Sequence, residues 1–120
     1  MENQTPVKTK FGYEVVWAKT EKYEAKFIVF DNANSRTNMI SNTDKDKSWF
    51  VNSGSLKVRW IDTSEGKVFE KQLTESQTFH VPKTMPTQII ALTEGCSITE
   101  VSNYDSNDVK LTIMDSSMLG

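Results

Sequence analysis

Apolar residues in this chain recur with the two-residue period of a strand, in short runs broken by turn chemistry, and almost nowhere with the period of a helix. Glu14 to Ala18 and Tyr23 to Phe30 are rich in β-branched and aromatic residues, which pack well on a pleated surface. Asn and Asp tolerate left-handed backbone and bond their own main chain, so the cluster from Asp31 to Ser35 reads as a turn. The same reasoning predicts strands over Arg36 to Asn42, Ser48 to Asn52, Ser55 to Ile61, Val68 to Leu73, Thr78 to Val81, Thr87 to Leu92, Ser97 to Ser102 and Val109 to Met114. Between them lie the charged turn Thr43 to Lys47, a hairpin loop from Asp62 to Lys67 with Gly66 at its special backbone position, and the turn Pro82 to Pro86. Ten short strands at this spacing predict an all-β sandwich or barrel of hairpins and Greek-key returns.

A length of 120 residues suits one domain over residues 1-120, with its core over about 11-114 and polar ends at 1-10 and 115-120. The charged share of 25% and the six Phe, three Trp and three Tyr argue for a packed core rather than disorder. A net charge of -2 without a basic run argues against nucleic acid as the main partner. The first ten residues hold no apolar segment of the signal-peptide kind, and no run is long enough to span a membrane, so no membrane role is expected. A reducing cytoplasmic setting is expected, and a virus-encoded protein made inside a host cell would fit equally. Cys96 stands alone, which excludes an internal disulfide and reads as a small apolar residue near a strand start.

In the run from Tyr23 to Phe30, Tyr23, Ala25, Phe27 and Val29 share one face while Ile28 and Phe30 fall on the other. A strand apolar on both faces sits between layers or beneath a partner subunit, and a homodimer is expected on that ground.

From Phe11 to about Val109 the chain resembles the cupin domain of type II mannose-6-phosphate isomerases, which in bacteria is often fused behind a mannose-1-phosphate guanylyltransferase. The likeness is carried by Phe11-Gly12-Tyr13-Glu14, by Trp17-Ala18-Lys19-Thr20, by the aromatic strand Trp49-Phe50-Val51 ending in Ser53-Gly54, by Phe79-His80-Val81-Pro82 and by Glu100-Val101-Ser102. It implies a cupin double-stranded β-helix, a jelly-roll-like barrel with its pocket at the mouth. It also implies that Ile40, Asn42, Lys47 and Thr87 stand where the family holds its metal ligands. A hydrocarbon, an amide, an ammonium and a hydroxyl offer no competent first coordination sphere for a transition metal, so no metal and no cofactor are expected. A displaced all-oxygen site from Asp44, Asp46 and Glu100, beside His80, is the alternative. The family's glycine in the second motif is replaced by Thr84, so the turn before Thr87 is expected to take a different path.

Lys47 reads in two ways. As part of the Asp44 to Lys47 turn it points to water; at the old metal position its ammonium would restore positive potential and, with Arg36, hold a phosphate or carboxylate. Alternation places Trp49 and Val51 on one inner face with position 47, and Thr87, Ile89 and Ala91 on the opposing one. The candidate pocket is therefore Arg36, Ile40, Asn42, Lys47, Trp49, Thr87 and Ile89. His80, flanked by inward residues, is expected to face outward, which argues against a catalytic base there. The reading favoured by these residues is a metal-free, non-catalytic cupin that binds a sugar or sugar phosphate. A metal-independent isomerase or epimerase and an interaction module with a filled pocket are the rivals.

Overall fold

The computed structural model describes residues 5–116. It has eleven strands: β1 Val7–Lys8, β2 Gly12–Lys19, β3 Tyr23–Phe30, β4 Met39–Asn42, β5 Lys47–Ser53, β6 Leu56–Asp62, β7 Lys67–Leu73, β8 Thr78–Val81, β9 Thr87–Ala91, β10 Ser97–Asn103 and β11 Lys110–Met114. They form a six-stranded sheet in the order β1-β2-β3-β10-β5-β8 and a five-stranded sheet in the order β11-β4-β9-β6-β7, and every pairing is antiparallel. The ten expected strands are all present, although the third of them, β4, begins at Met39 and Arg36 makes only an isolated bridge to Ile90. The two-residue β1 is the addition; at that length no periodicity could announce it. Among the described residues no helix is long and apolar enough to cross a membrane.

The inner faces of the two sheets meet in one apolar core. Phe30, Val51 and Ile98 from the larger sheet pack with Leu56, Val58, Leu73, Ile89 and Ala91 from the smaller. Cys96 is fully buried in the same cluster, and burial pushes its thiol up to about 11. Phe11 closes one side, its ring 4.8 Å from that of Phe30. Gly12, next in sequence, passes so close to β3 that a Cβ there would collide with the Val29 carbonyl, which is why the β2 entry requires glycine.

Two turns decide where the site sits. Gly66 adopts a φ of +67° in the β6–β7 hairpin, as expected, while the β8–β9 turn corrects an expectation. Thr84 holds the left-handed conformation, at φ 70°, which the family's glycine would hold there. The turn therefore keeps a path suited to glycine instead of taking another. Its amide donates 2.7 Å to the Asn42 carbonyl, and that tertiary bond offsets part of the steric cost of a β-branched residue at positive φ.

Candidate functional site

The inner face of the larger sheet changes character along its strands. Going along β3 the inward residues are Phe30, Ile28 and then Lys26; along β5 they are Val51, Trp49 and then Lys47; along β10 they are Ile98 and then Glu100. Because Glu100 pairs in register with both Lys26 and Trp49, three neighbouring strands bring an ammonium, a carboxylate and an indole into one row. That row forms one wall of a cavity of about 270 Å³ between the sheets, whose other wall carries Ile40, Thr87 and Ile89.

The electrostatics are ordered around Glu100, which is 6% exposed. Its Oε1 accepts a hydrogen bond from Trp49 Nε1 at 2.9 Å, and its Oε2 lies 3.6 Å from Lys26 Nζ. Lys26 has a second and tighter partner, donating to Glu14 Oε1 at 2.8 Å. Burial alone would raise the Glu100 pKa, but Lys47, Lys26 and the indole N–H outweigh it and hold the carboxyl below its ordinary range. Burial likewise opposes the charge on Lys26, yet Glu100 and Glu14 together carry its pKa upward. Lys47 is different. Its nearest carboxylate contact is Glu100 Oε1 at 4.0 Å, an oxygen already engaged by Trp49. Burial pulls its pKa down, Glu100 compensates only in part, and Lys26, Lys45 and Lys110 add to the fall. Lys47 is a buried cation with too little negative charge beside it.

Six of the seven residues expected in the pocket line this cavity: Arg36, Ile40, Lys47, Trp49, Thr87 and Ile89. Asn42 does not. It is buried, but its Nδ2 donates 2.9 Å to Asp108 Oδ2, so its amide anchors the loop before β11 instead of facing the cavity. The turn reading of Lys47 is also corrected, because the residue opens β5 and its side chain is only 16% exposed. Strand pairing with Val81 draws it out of the turn and alternation then aims it inward.

Sequence reasoning did not place Lys26 or Glu14 in the pocket, and gave Glu100 a chemical role only as a possible metal donor. The signal for Lys26 was present: it shares a face with Ile28 and Phe30, and a charge on an otherwise apolar inner face asks for a partner.

The donor set does not suit a transition metal. Ile40 offers no lone pair, the Thr87 hydroxyl donates to the Met85 carbonyl at 3.0 Å, and both lining carboxylates are engaged by Lys26. Among the described residues no cluster of three or more His, Cys, Asp or Glu side chains could hold a metal ion. Nor do the displaced oxygen donors converge. His80 faces outward with its side chain 62% exposed, 3.7 Å from an equally exposed Asp46, while Glu100 is interior.

This architecture has counterparts among solved structures. Oxalate decarboxylase from Bacillus subtilis superposes with a TM-score of 0.79 at 17% identity over 92% of this chain. The capsular polysaccharide assembling protein CapF from Staphylococcus aureus does so with a TM-score of 0.75 at 14% identity over 89%. The fold is a cupin barrel. The chain spans about a third of either protein, 30% of the decarboxylase and 33% of CapF. Peruvianin-I, a cysteine peptidase from Thevetia peruviana latex, also matches, with a TM-score of 0.67 at 14% identity over 78% of this chain and 57% of its own. Such different proteins on one scaffold mean that the cupin likeness carries fold and not activity. No protein-family model matches the sequence, and no curated protein is a significant match to it.

Proposed function

We propose that this cupin binds a small acidic carbohydrate, of the sugar-phosphate class, in the cavity between its sheets and performs no chemistry on it. The observation that carries the reading is Lys47, a buried ammonium whose closest carboxylate oxygen is 4.0 Å away and shared. A bound phosphate or carboxylate would complete its coordination, and a cation desolvated before the ligand arrives binds an anion more strongly than one in water.

Charge supports the same class of ligand. The cavity is lined by Lys26, Arg36, Lys47 and Lys110, with Lys10 paired to Asp115 at 3.4 Å, against Glu14 and Glu100, although the whole chain is net negative at -2. Local positive potential in a negative protein favours an anionic guest at that place. Size and shape support it too. A volume of about 270 Å³ lies just below the roughly 300–1,000 Å³ of pockets for drug-sized ligands, which suits a monosaccharide-sized molecule. The walls combine apolar surface from Trp49, Ile28 and Ile89 with hydroxyls and an amide from Thr37, Asn38 and Thr87, as a ring with apolar surface and several hydroxyls would require. The motifs read in the sequence as resembling type II mannose-6-phosphate isomerases would imply the same chemical class, and CapF is described as a capsular polysaccharide assembling protein.

The test is a thermal-shift and calorimetric comparison of mannose 6-phosphate, inorganic phosphate and mannose. The phosphorylated sugar is expected to bind most tightly, phosphate more weakly, and mannose least. Lys47→Met should weaken the sugar phosphate at least tenfold. Equal affinity in the variant, or no binding of any acidic sugar at millimolar concentration, would overturn the reading. Conversion of mannose 6-phosphate to fructose 6-phosphate would overturn its non-catalytic part.

A further inference from the structure

The outer face of the larger sheet lacks what a solvated face normally has. The row Val15, Phe27, Thr99, Phe50 and Thr78 crosses β2, β3, β10, β5 and β8 in register and points away from the core. Phe27 and Phe50 are 41% and 44% exposed, and Trp17, stacked on Phe27 with ring centroids 5.9 Å apart, is 46% exposed. No Asp, Glu, Lys or Arg stands at an outward position from Tyr13 on β2 to Asn52 on β5. The smaller sheet shows the usual pattern instead, its outer face carrying Lys57 and Arg59 on β6 against Glu70 on β7. The end of β3 from Phe27 to Phe30 is therefore apolar on both faces, with Ile28 and Phe30 packed in the core and Phe27 left 41% exposed on the outer side.

We infer that this uncharged face is the contact surface between two copies of the chain, paired about a two-fold axis. In a two-fold contact a patch meets itself, so any charge near its centre would approach its like; a patch free of charge meets that condition. The area suits a weak, concentration-dependent pair. The four strands β2, β3, β10 and β5, about 4.8 Å apart and about seven residues rising roughly 3.3 Å each, give about 450 Å² per copy. The pair would bury about 900 Å², close to the roughly 1,000 Å² that separates stable from transient interfaces. Between Tyr13, Val15, Phe27 and Val29 the face is also concave, a shallow apolar groove able to receive an aromatic side chain from the second copy. Lys8 stands opposite Tyr13 at the β1 edge of the face, so binding to an anionic membrane is an outcome the test must distinguish.

Sedimentation velocity and light scattering from 1 to 100 µM test the inference. A dimer is expected, with Phe27→Asp shifting it to monomer. Val101→Lys, at an exposed position bordering the same face, provides a milder disruption should Phe27→Asp fail to fold, and Val68→Asp on β7 of the other sheet should leave the dimer intact. A monomer at every concentration would overturn the inference. So would a dimer that persists in folded Phe27→Asp or Val101→Lys protein, since the contact would then lie elsewhere. Vesicle binding by the wild type, lost in those variants, would assign the face to lipid instead and refute it. None of these outcomes depends on the cavity, so the two readings stand or fall separately.

Discussion

Replacing Glu100 with Gln keeps the shape of the side chain and an oxygen for the Trp49 N–H, and removes the charge that Lys26 and Lys47 share. Lys26 retains Glu14 at 2.8 Å, so the deficit falls mainly on Lys47. Breaking a buried ion pair by removing one partner costs about 3–5 kcal/mol. Lys47 has an escape, however, because it can release its proton. At pH 7 that release costs a lysine of ordinary pKa 10.5 about 4.8 kcal/mol, which caps the penalty, and at pH 9.5 the cap falls to about 1.4 kcal/mol. Glu100→Gln should therefore destabilise the protein by about 3 kcal/mol at pH 7 and by about 1 kcal/mol at pH 9.5. The sign follows from linkage: a lysine with a lowered folded pKa binds fewer protons folded than unfolded, so stability rises with pH up to the unfolded value. For 120 residues an unfolding entropy near 2.1 cal/mol/K per residue converts about 3 kcal/mol into a melting shift of roughly 12 °C. Urea denaturation at the two pH values is the assay, with Lys47→Met as the second mutation of a cycle. Adding Lys47→Met to Glu100→Gln should recover about 1–2 kcal/mol at pH 7, since it removes the stranded cation. A loss below about 0.5 kcal/mol at pH 7, or a double variant no more stable than Glu100→Gln, would refute the charge arrangement described for this site.

Two further outcomes test local features. Thr84→Gly relieves a β-branched residue held at φ 70° and should stabilise the fold by roughly 0.5–1 kcal/mol in urea denaturation, the gain being limited by the freedom glycine adds to the unfolded chain; a loss of stability would show that the Thr84 side chain contributes more than its backbone costs. Cys96 is fully buried with its thiol pushed up to about 11, so it should not react with a thiol reagent at pH 8 until the protein is unfolded in denaturant; prompt labelling of the native protein would contradict its place in the core.

The strands were legible because two-residue alternation is a local signal and Asn, Asp and Gly mark the turns between runs. The inward placement of Trp49, Thr87 and Ile89 followed from the same alternation. Lys47 was ambiguous for a physical reason. It closes a charged turn and opens a strand, and only the pairing with Val81 decides which, a contact distant in sequence. Asn42 was misplaced because its partner, Asp108, lies in a loop that no periodicity describes. The Lys26–Glu100 pair joins strands far apart in the chain, and nothing local announces which charges will meet. Thr84 shows the converse: residue type argued against a left-handed turn, and a hydrogen bond to the Asn42 carbonyl holds it there.

The Lys47 amine itself can be observed by NMR in protein carrying 13C-labelled lysine, with Lys47→Met identifying its signal. In the free protein it should titrate below the ordinary 10.5, and saturating mannose 6-phosphate should move that titration upward, because a bound anion favours the charged form. A Lys47 amine that titrates like a solvent-exposed lysine and does not respond to the sugar phosphate would contradict the account.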